Sequence, residues 1–116
     1  MIFNIFVEFE NIEIITAEDA ESYLSDDILS IEEVRYVPGE GWSTDPEGWI
    51  LDLSWRDPGD VNGEYRLSAF FRGDPDSVAT FKSRSCYAVR DAIDLALERM
   101  VASRSVERVS QAFSEL

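Results

Sequence analysis

Ten carboxylates, those of Glu8, Glu10, Glu13, Glu18, Asp19, Glu21, Asp26, Asp27, Glu32 and Glu33, fall within 26 residues, and no base occurs before Arg35. Closely spaced carboxylates without counter-cations attract cations and repel phosphate and anionic lipid head groups. The net charge of −14 follows the same layout: residues 1–64 hold 17 acids against two arginines, whereas residues 65–116 hold seven acids and eight bases. Direct binding of nucleic acid or membrane by the N-terminal half is therefore disfavoured, and a basic protein partner is favoured. On this reading Glu10, Glu13, Glu18, Asp19, Glu21, Asp26, Asp27, Glu32 and Glu33 mimic spaced phosphates and occupy a nucleic-acid-binding groove on the partner. Trp42 or Tyr23 would supply an apolar anchor. The plainer reading of the acids is solubility, a charged face that meets water. The plainer reading of Trp42, set in Gly39-Glu40-Gly41-Trp42-Ser43, is a lid over the core.

Other chemistries have less to work with. The chain has no histidine, which removes the usual base near neutral pH together with Ser-His-Asp and Cys-His nucleophile systems. Cys86, the one cysteine, has no partner for an internal disulfide and reads as an incidental residue at a helix start. Asp52, Asp57, Asp60 and Glu64 are candidates to gather around Mg²⁺ or Ca²⁺, but Asp60-Val61-Asn62-Gly63-Glu64 matches only a fragment of a calcium loop. Turn chemistry accounts for the same residues. A two-carboxylate glycosidase would need a pair of acids that nothing in the sequence marks. No phosphate-cradling glycine motif occurs, and no cofactor or metal is expected. The leading expectation is a non-enzymatic acidic inhibitor of a basic, nucleic-acid-handling protein, such as a phage counter-defence (anti-CRISPR) protein or a toxin's immunity protein. A carboxylate-dependent metal enzyme and a self-assembling subunit are the alternatives.

The elements that must position these residues follow from hydropathy period. Phe3, Ile5, Val7 and Phe9 alternate as in a strand, and Thr16-Ala17-Glu18-Asp19 reads as the cap of a short acidic helix ending near Ser25. Ile31 to Val37 alternates weakly, with Val34 and Tyr36 opposite Glu33 and Arg35, before Pro38-Gly39-Glu40-Gly41 stops the ladder and leaves a loop. Trp49 to Trp55 and Tyr65 to Phe71 alternate clearly on either side of turn-forming residues and should pair as a hairpin. Val78 to Ser83 is the last strand candidate.

From Ser85 onward, Val89, Ala92, Ile93, Ala96, Leu97, Met100 and Val101 form one helical stripe. Val106, Val109, Phe113 and Leu116 form a second, rotated by more than a quarter turn from the first at 100° per residue. One straight helix cannot bury both, so a break is expected at Ala102-Ser103-Arg104-Ser105. The second stripe then packs back on the same domain or meets a second copy in a homodimer.

The fold class expected is α+β within a single domain spanning residues 1–116. An antiparallel sheet of four or five strands, in β-α-β-β-β-(β)-α order, packs against a long C-terminal helix kinked or broken near Ser103. Its expected core is Ile5, Val7, Phe9, Leu51, Leu53, Leu67, Ala69, Val89, Ile93 and Leu97. No apolar run approaches the roughly 20 residues of a membrane span, and the first residues lack the basic flank of a secretion signal. A cytoplasmic location is expected.

Overall fold

The structure is a computed structural model that describes residues 28–56 and 63–116, together with the backbone of residues 2–7. The expected acidic helix near residues 17–25, Tyr23, and the turn containing Asp57 and Asp60 lie outside the described residues. The fold is α+β, an antiparallel sheet followed by two C-terminal helices. Among the described residues the strands are β1 (Ile2–Val7), β2 (Leu29–Val37), β3 (Gly41–Thr44), β4 (Trp49–Arg56), β5 (Glu64–Phe71) and β6 (Asp74–Ser83), and the helices are α1 (Cys86–Ala102) and α2 (Val106–Ser114). Side by side the strands run β1-β2-β4-β5-β6, while the short β3 pairs with β2 alone.

Alternation along β4 sets the two faces of the sheet. Trp49, Leu51, Leu53 and Trp55 are buried and lie opposite Phe71, Ala69, Leu67 and Tyr65 of β5. Ala69 and Leu67 in turn face Ala79 and Phe81 of β6. These side chains form one apolar layer with Val89, Ala92, Ala96 and Met100 of α1 and Val109 and Phe113 of α2. Alanines at positions 92 and 96 have no side chain beyond Cβ, which lets α1 lie close to the sheet. Of the expected core, Leu51, Leu53, Leu67, Ala69 and Val89 are buried, and Ile93 and Leu97 are partly so. Val101, expected on the same stripe, is exposed near the end of α1.

The C-terminal region is two helices rather than one kinked helix. Ser103 ends α1 with an extended backbone, and Ser105 starts α2 by accepting the Arg108 N–H on its hydroxyl. This separates the two rotated stripes and lets each bury its own face. Val109 and Phe113 pack into the chain's own core, with the Phe113 ring 5.8 Å from that of Phe81 on β6. The second stripe therefore finds its surface at home. A homodimer built on Val106, Val109, Phe113 and Leu116 would need Val109 and Phe113 free, and both are buried; Val106 is half-buried and Leu116 exposed.

One feature of β2 and β3 differs from the sequence expectation. Pro38-Gly39-Glu40 does not end the ladder: Gly39 and Gly41 adopt φ of 87° and 84°, a region open to glycine without strain, and the chain turns back into β3. The expected alternation of Val34 and Tyr36 against Glu33 and Arg35 holds, and it is the acid-bearing face that turns to the core. Ile31 lies opposite the buried Leu51, so counting by twos puts Glu33 on the helix side and Val34 and Tyr36 on the other face.

Candidate functional site

Glu33 sits at the discontinuity between β3 and β4. Both pair with the same edge of β2, β3 through Val34 to Val37 and β4 through Leu29 to Glu32, which leaves Glu33 opposite the gap. Residues Asp45 to Gly48 fill that gap as a tight loop. The Asp45 N–H donates to the Glu33 carbonyl, the Glu47 N–H to the Asp45 carboxylate, and the Gly48 N–H to the Asp45 carbonyl. Asp-Pro-Glu-Gly suits such a turn, because a short carboxylate accepts from the backbone two residues on. Gly48 has a steric role: a Cβ there would lie 2.9 Å from the Cβ atoms of both Asp45 and Glu33.

The Glu33 carboxylate is held inside this loop. The residue is 7% exposed, and its Oε1 accepts the Trp49 N–H at 3.0 Å. Arg104, at the break between α1 and α2, donates to both carboxylate oxygens at 3.2 and 3.3 Å and to the Glu47 carbonyl at 3.2 Å. Its guanidinium lies 5.1 Å over the Phe71 ring, which itself stacks on Trp49 at 3.9 Å. The interhelical break is thus tied to the sheet by one arginine with three kinds of partner: a carboxylate, a carbonyl and a ring. A buried carboxylate so satisfied is a structural lock, because a lone buried charge is costly to keep.

Glu32 points to the other face and pairs with Arg72 at 2.7 Å. Both acids at the end of the expected array are therefore engaged within the chain, and Glu33 is not on the surface at all. Glu10, Glu13, Glu18, Asp19, Glu21, Asp26 and Asp27 lie outside the described residues. Of the suggested metal set, Glu64 pairs with Arg56 at 3.5 Å and Asp52 has an interaction of its own. No cluster of three potential metal ligands occurs among the described residues, and no helix among them is long and apolar enough to cross a membrane.

Trp42 is not a lid over the core. It is 58% exposed, and its ring meets that of Tyr36, 60% exposed, edge to face at 5.5 Å. The two residues are directly opposite in the β2–β3 pairing. Elsewhere, a cavity of about 470 Å³ opens where α1 gives way to α2, lined by Arg99, Ser103, Ser105, Glu107, Arg108 and Glu115 among others. The two cations and two anions named there balance, so the lining selects neither sign of ion.

The Glu33–Arg104 lock and the aromatic pair were both missed by sequence reasoning. Strand parity carried a signal for the first, since Glu33 shares the face of Ile31. For the second, the positive-φ glycines around Glu40 were the available cue to a turn. Comparison with family models, curated proteins and solved structures finds no match to this chain.

Proposed function

We propose that this protein is a non-enzymatic acidic binding protein that neutralises a basic, nucleic-acid-handling partner by presenting carboxylates where that partner binds phosphates. The observation that carries the reading is the charge layout. Residues 8–27 hold eight acids and no base. Arginines further along the chain pair with Glu32 and Glu33, which narrows the proposed array to Glu8 through Asp27. Charge attraction of this kind speeds encounter and weakens with salt.

The test is affinity capture from a host lysate at low and high salt, with a variant reversing Glu18, Asp19 and Glu21 to lysine. A basic protein is expected at low salt only, lost on charge reversal, and unable to hold nucleic acid while bound. Equal capture by the reversed variant would overturn the proposal, as would a partner that holds this protein and nucleic acid together.

A further inference from the structure

Two cations stand side by side on the face of the sheet that α1 and α2 leave open. Leu67 and Ala69 of β5 and Ala79 of β6 belong to the layer shared with the helices, so strand alternation puts Arg66 and Lys82 on the opposite face. The two are directly opposite each other in the β5–β6 register, and both are exposed. Neither forms an ion pair among the described residues. Like charges so placed repel and cost stability unless an anion offsets them. The two acids nearest in the register are engaged elsewhere: Glu64 pairs with Arg56, and Asp52 has an interaction of its own.

The register also places this pair relative to the acidic segment. Val7, Leu29, Leu53, Leu67 and Phe81 form one row across five strands. Arg66 and Lys82 lie one residue beyond that row, at the end of the sheet where the chain leaves β1 after Val7 and enters β2 at Leu29. At the usual strand spacing they are about 10 and 14 Å across the sheet from β2. Residues 8–27 start next to Val7 and finish two residues before Leu29, and they hold eight acids and no base. A segment of that length, at up to about 3.5 Å per residue, is long enough to cross this distance and return.

We propose that Arg66 and Lys82 hold carboxylates of the chain's own residues 8–27 when no partner is bound, and that a basic partner must displace them. Charge complementarity and the tether select this occupant, because acids joined to the same row of the sheet reach the pair at a higher effective concentration than those of another molecule. The docking itself needs no partner; the competition rests on the basic-partner reading above. Contacts between exposed charges are weak and screened by salt, so a partner with more cations displaces them.

The test compares Arg66→Gln/Lys82→Gln with Arg90→Gln/Arg108→Gln, which removes the same charge from exposed positions on the helices. Cleavage by a protease that cuts after glutamate reports docking in the free protein, because the enzyme must draw residues 8–27 into its own active site. At about 0.02 M salt, cleavage there is expected to be about two- to fivefold faster in the first variant than in the second. The difference should vanish at about 0.5 M salt. Octa-arginine, measured by calorimetry at the low salt, is expected to bind the first variant about two- to fivefold tighter. Equal cleavage in the two variants would overturn the docking, and the basic-partner reading would stand if octa-arginine still binds. A cleavage difference that disappears on dilution would overturn the intrachain contact in favour of a second copy. Faster cleavage with no gain in octa-arginine affinity would overturn the competition. Failure of octa-arginine to bind any variant at low salt would overturn the basic-partner reading and leave the docking standing on the cleavage difference.

Discussion

Replacing Arg104 with alanine isolates the lock between the helices and the sheet. The change removes hydrogen bonds at 3.2 and 3.3 Å to the Glu33 carboxylate, one at 3.2 Å to the Glu47 carbonyl, and the cation over Phe71. The Arg104 side chain is 51% exposed and that of Glu33 only 8%, so most of the cost arises at the carboxylate. Stripping the partner from a buried charge costs about 3–5 kcal/mol when nothing replaces it. Two effects lower that figure here: the Trp49 N–H still binds Oε1, and loss of a half-exposed side chain admits water. The expected loss is about 2–3 kcal/mol, a large share of the roughly 5–15 kcal/mol that holds a small domain together.

Arg72→Ala is the informative control. Its bond to Glu32 is shorter, at 2.7 Å, but the Glu32 side chain is 20% exposed where that of Glu33 is 8%. Pairs whose carboxylate is open to water contribute about 0–1 kcal/mol, so burial of the carboxylate and not distance should rank the two variants. Urea unfolding followed by tryptophan fluorescence measures both, with Trp49 stacked on Phe71 close to the lock. Glu33→Gln keeps an oxygen for the Trp49 N–H and removes the buried charge; in that background Arg104→Ala should cost about 1 kcal/mol or less. Equal losses for Arg104→Ala and Arg72→Ala, or an Arg104→Ala loss that does not depend on residue 33, would refute the reasoning.

Three further outcomes follow from the same geometry. Gly48→Ala should cost about 1–3 kcal/mol in thermal unfolding, because its Cβ would press on Asp45 and Glu33 at 2.9 Å; unchanged stability would mean that the loop relaxes freely. Phe113→Ala should cost about 3–5 kcal/mol without altering particle mass in light scattering. A change in mass with stability intact would revive a self-associating C-terminal stripe. Burial, and then the charge of Cys86, raise the Tyr65 phenol above its ordinary 10.0. The unfolded chain releases that proton first as pH rises, so this contribution is intact below pH 10.0 and is lost as pH climbs toward the folded-state value. Urea unfolding at stepped alkaline pH should show this loss, and Tyr65→Phe should flatten it.

Strong local patterns were legible in the sequence. Trp49 to Arg56 and Glu64 to Phe71 form strands because their apolar residues alternate without interruption and pair face to face. The helix break was legible because two stripes out of phase cannot share one sheet, and it falls at Ser103 to Ser105. Less was visible where a local rule competed with a distant partner. Pro38-Gly39-Glu40-Gly41 reads as a stop, yet its glycines supply the backbone angles that reverse the chain into β3. Glu33 reads as one more surface acid because its partner, Arg104, is 71 residues away and occupies a serine-rich break that shows no hydrophobic period. Trp42 reads as a lid over the core or as an exposed anchor, and its place on β3, which pairs with β2 beyond the end of the β4 pairing, leaves it in solvent.

The arginines give the charge layout its physical sense. Arg72 and Arg104 come from the near-neutral C-terminal half and pair with Glu32 and Glu33 across the fold; Arg56 pairs with Glu64. Each pairing uses a carboxylate from the acidic half as scaffold. The contribution of Glu32 and Glu33 to an outward field is reduced accordingly, since a carboxylate 3 Å from a guanidinium presents nearly a dipole to anything beyond a Debye length. Were solubility the sole purpose of the acidic half, the acids nearest the arginines and those of residues 8–27 would be interchangeable in effect. Reversing Glu18, Asp19 and Glu21 should instead abolish capture of a basic partner while leaving the fold intact, whereas Glu33→Gln should alter the stability of the lock and leave capture unchanged.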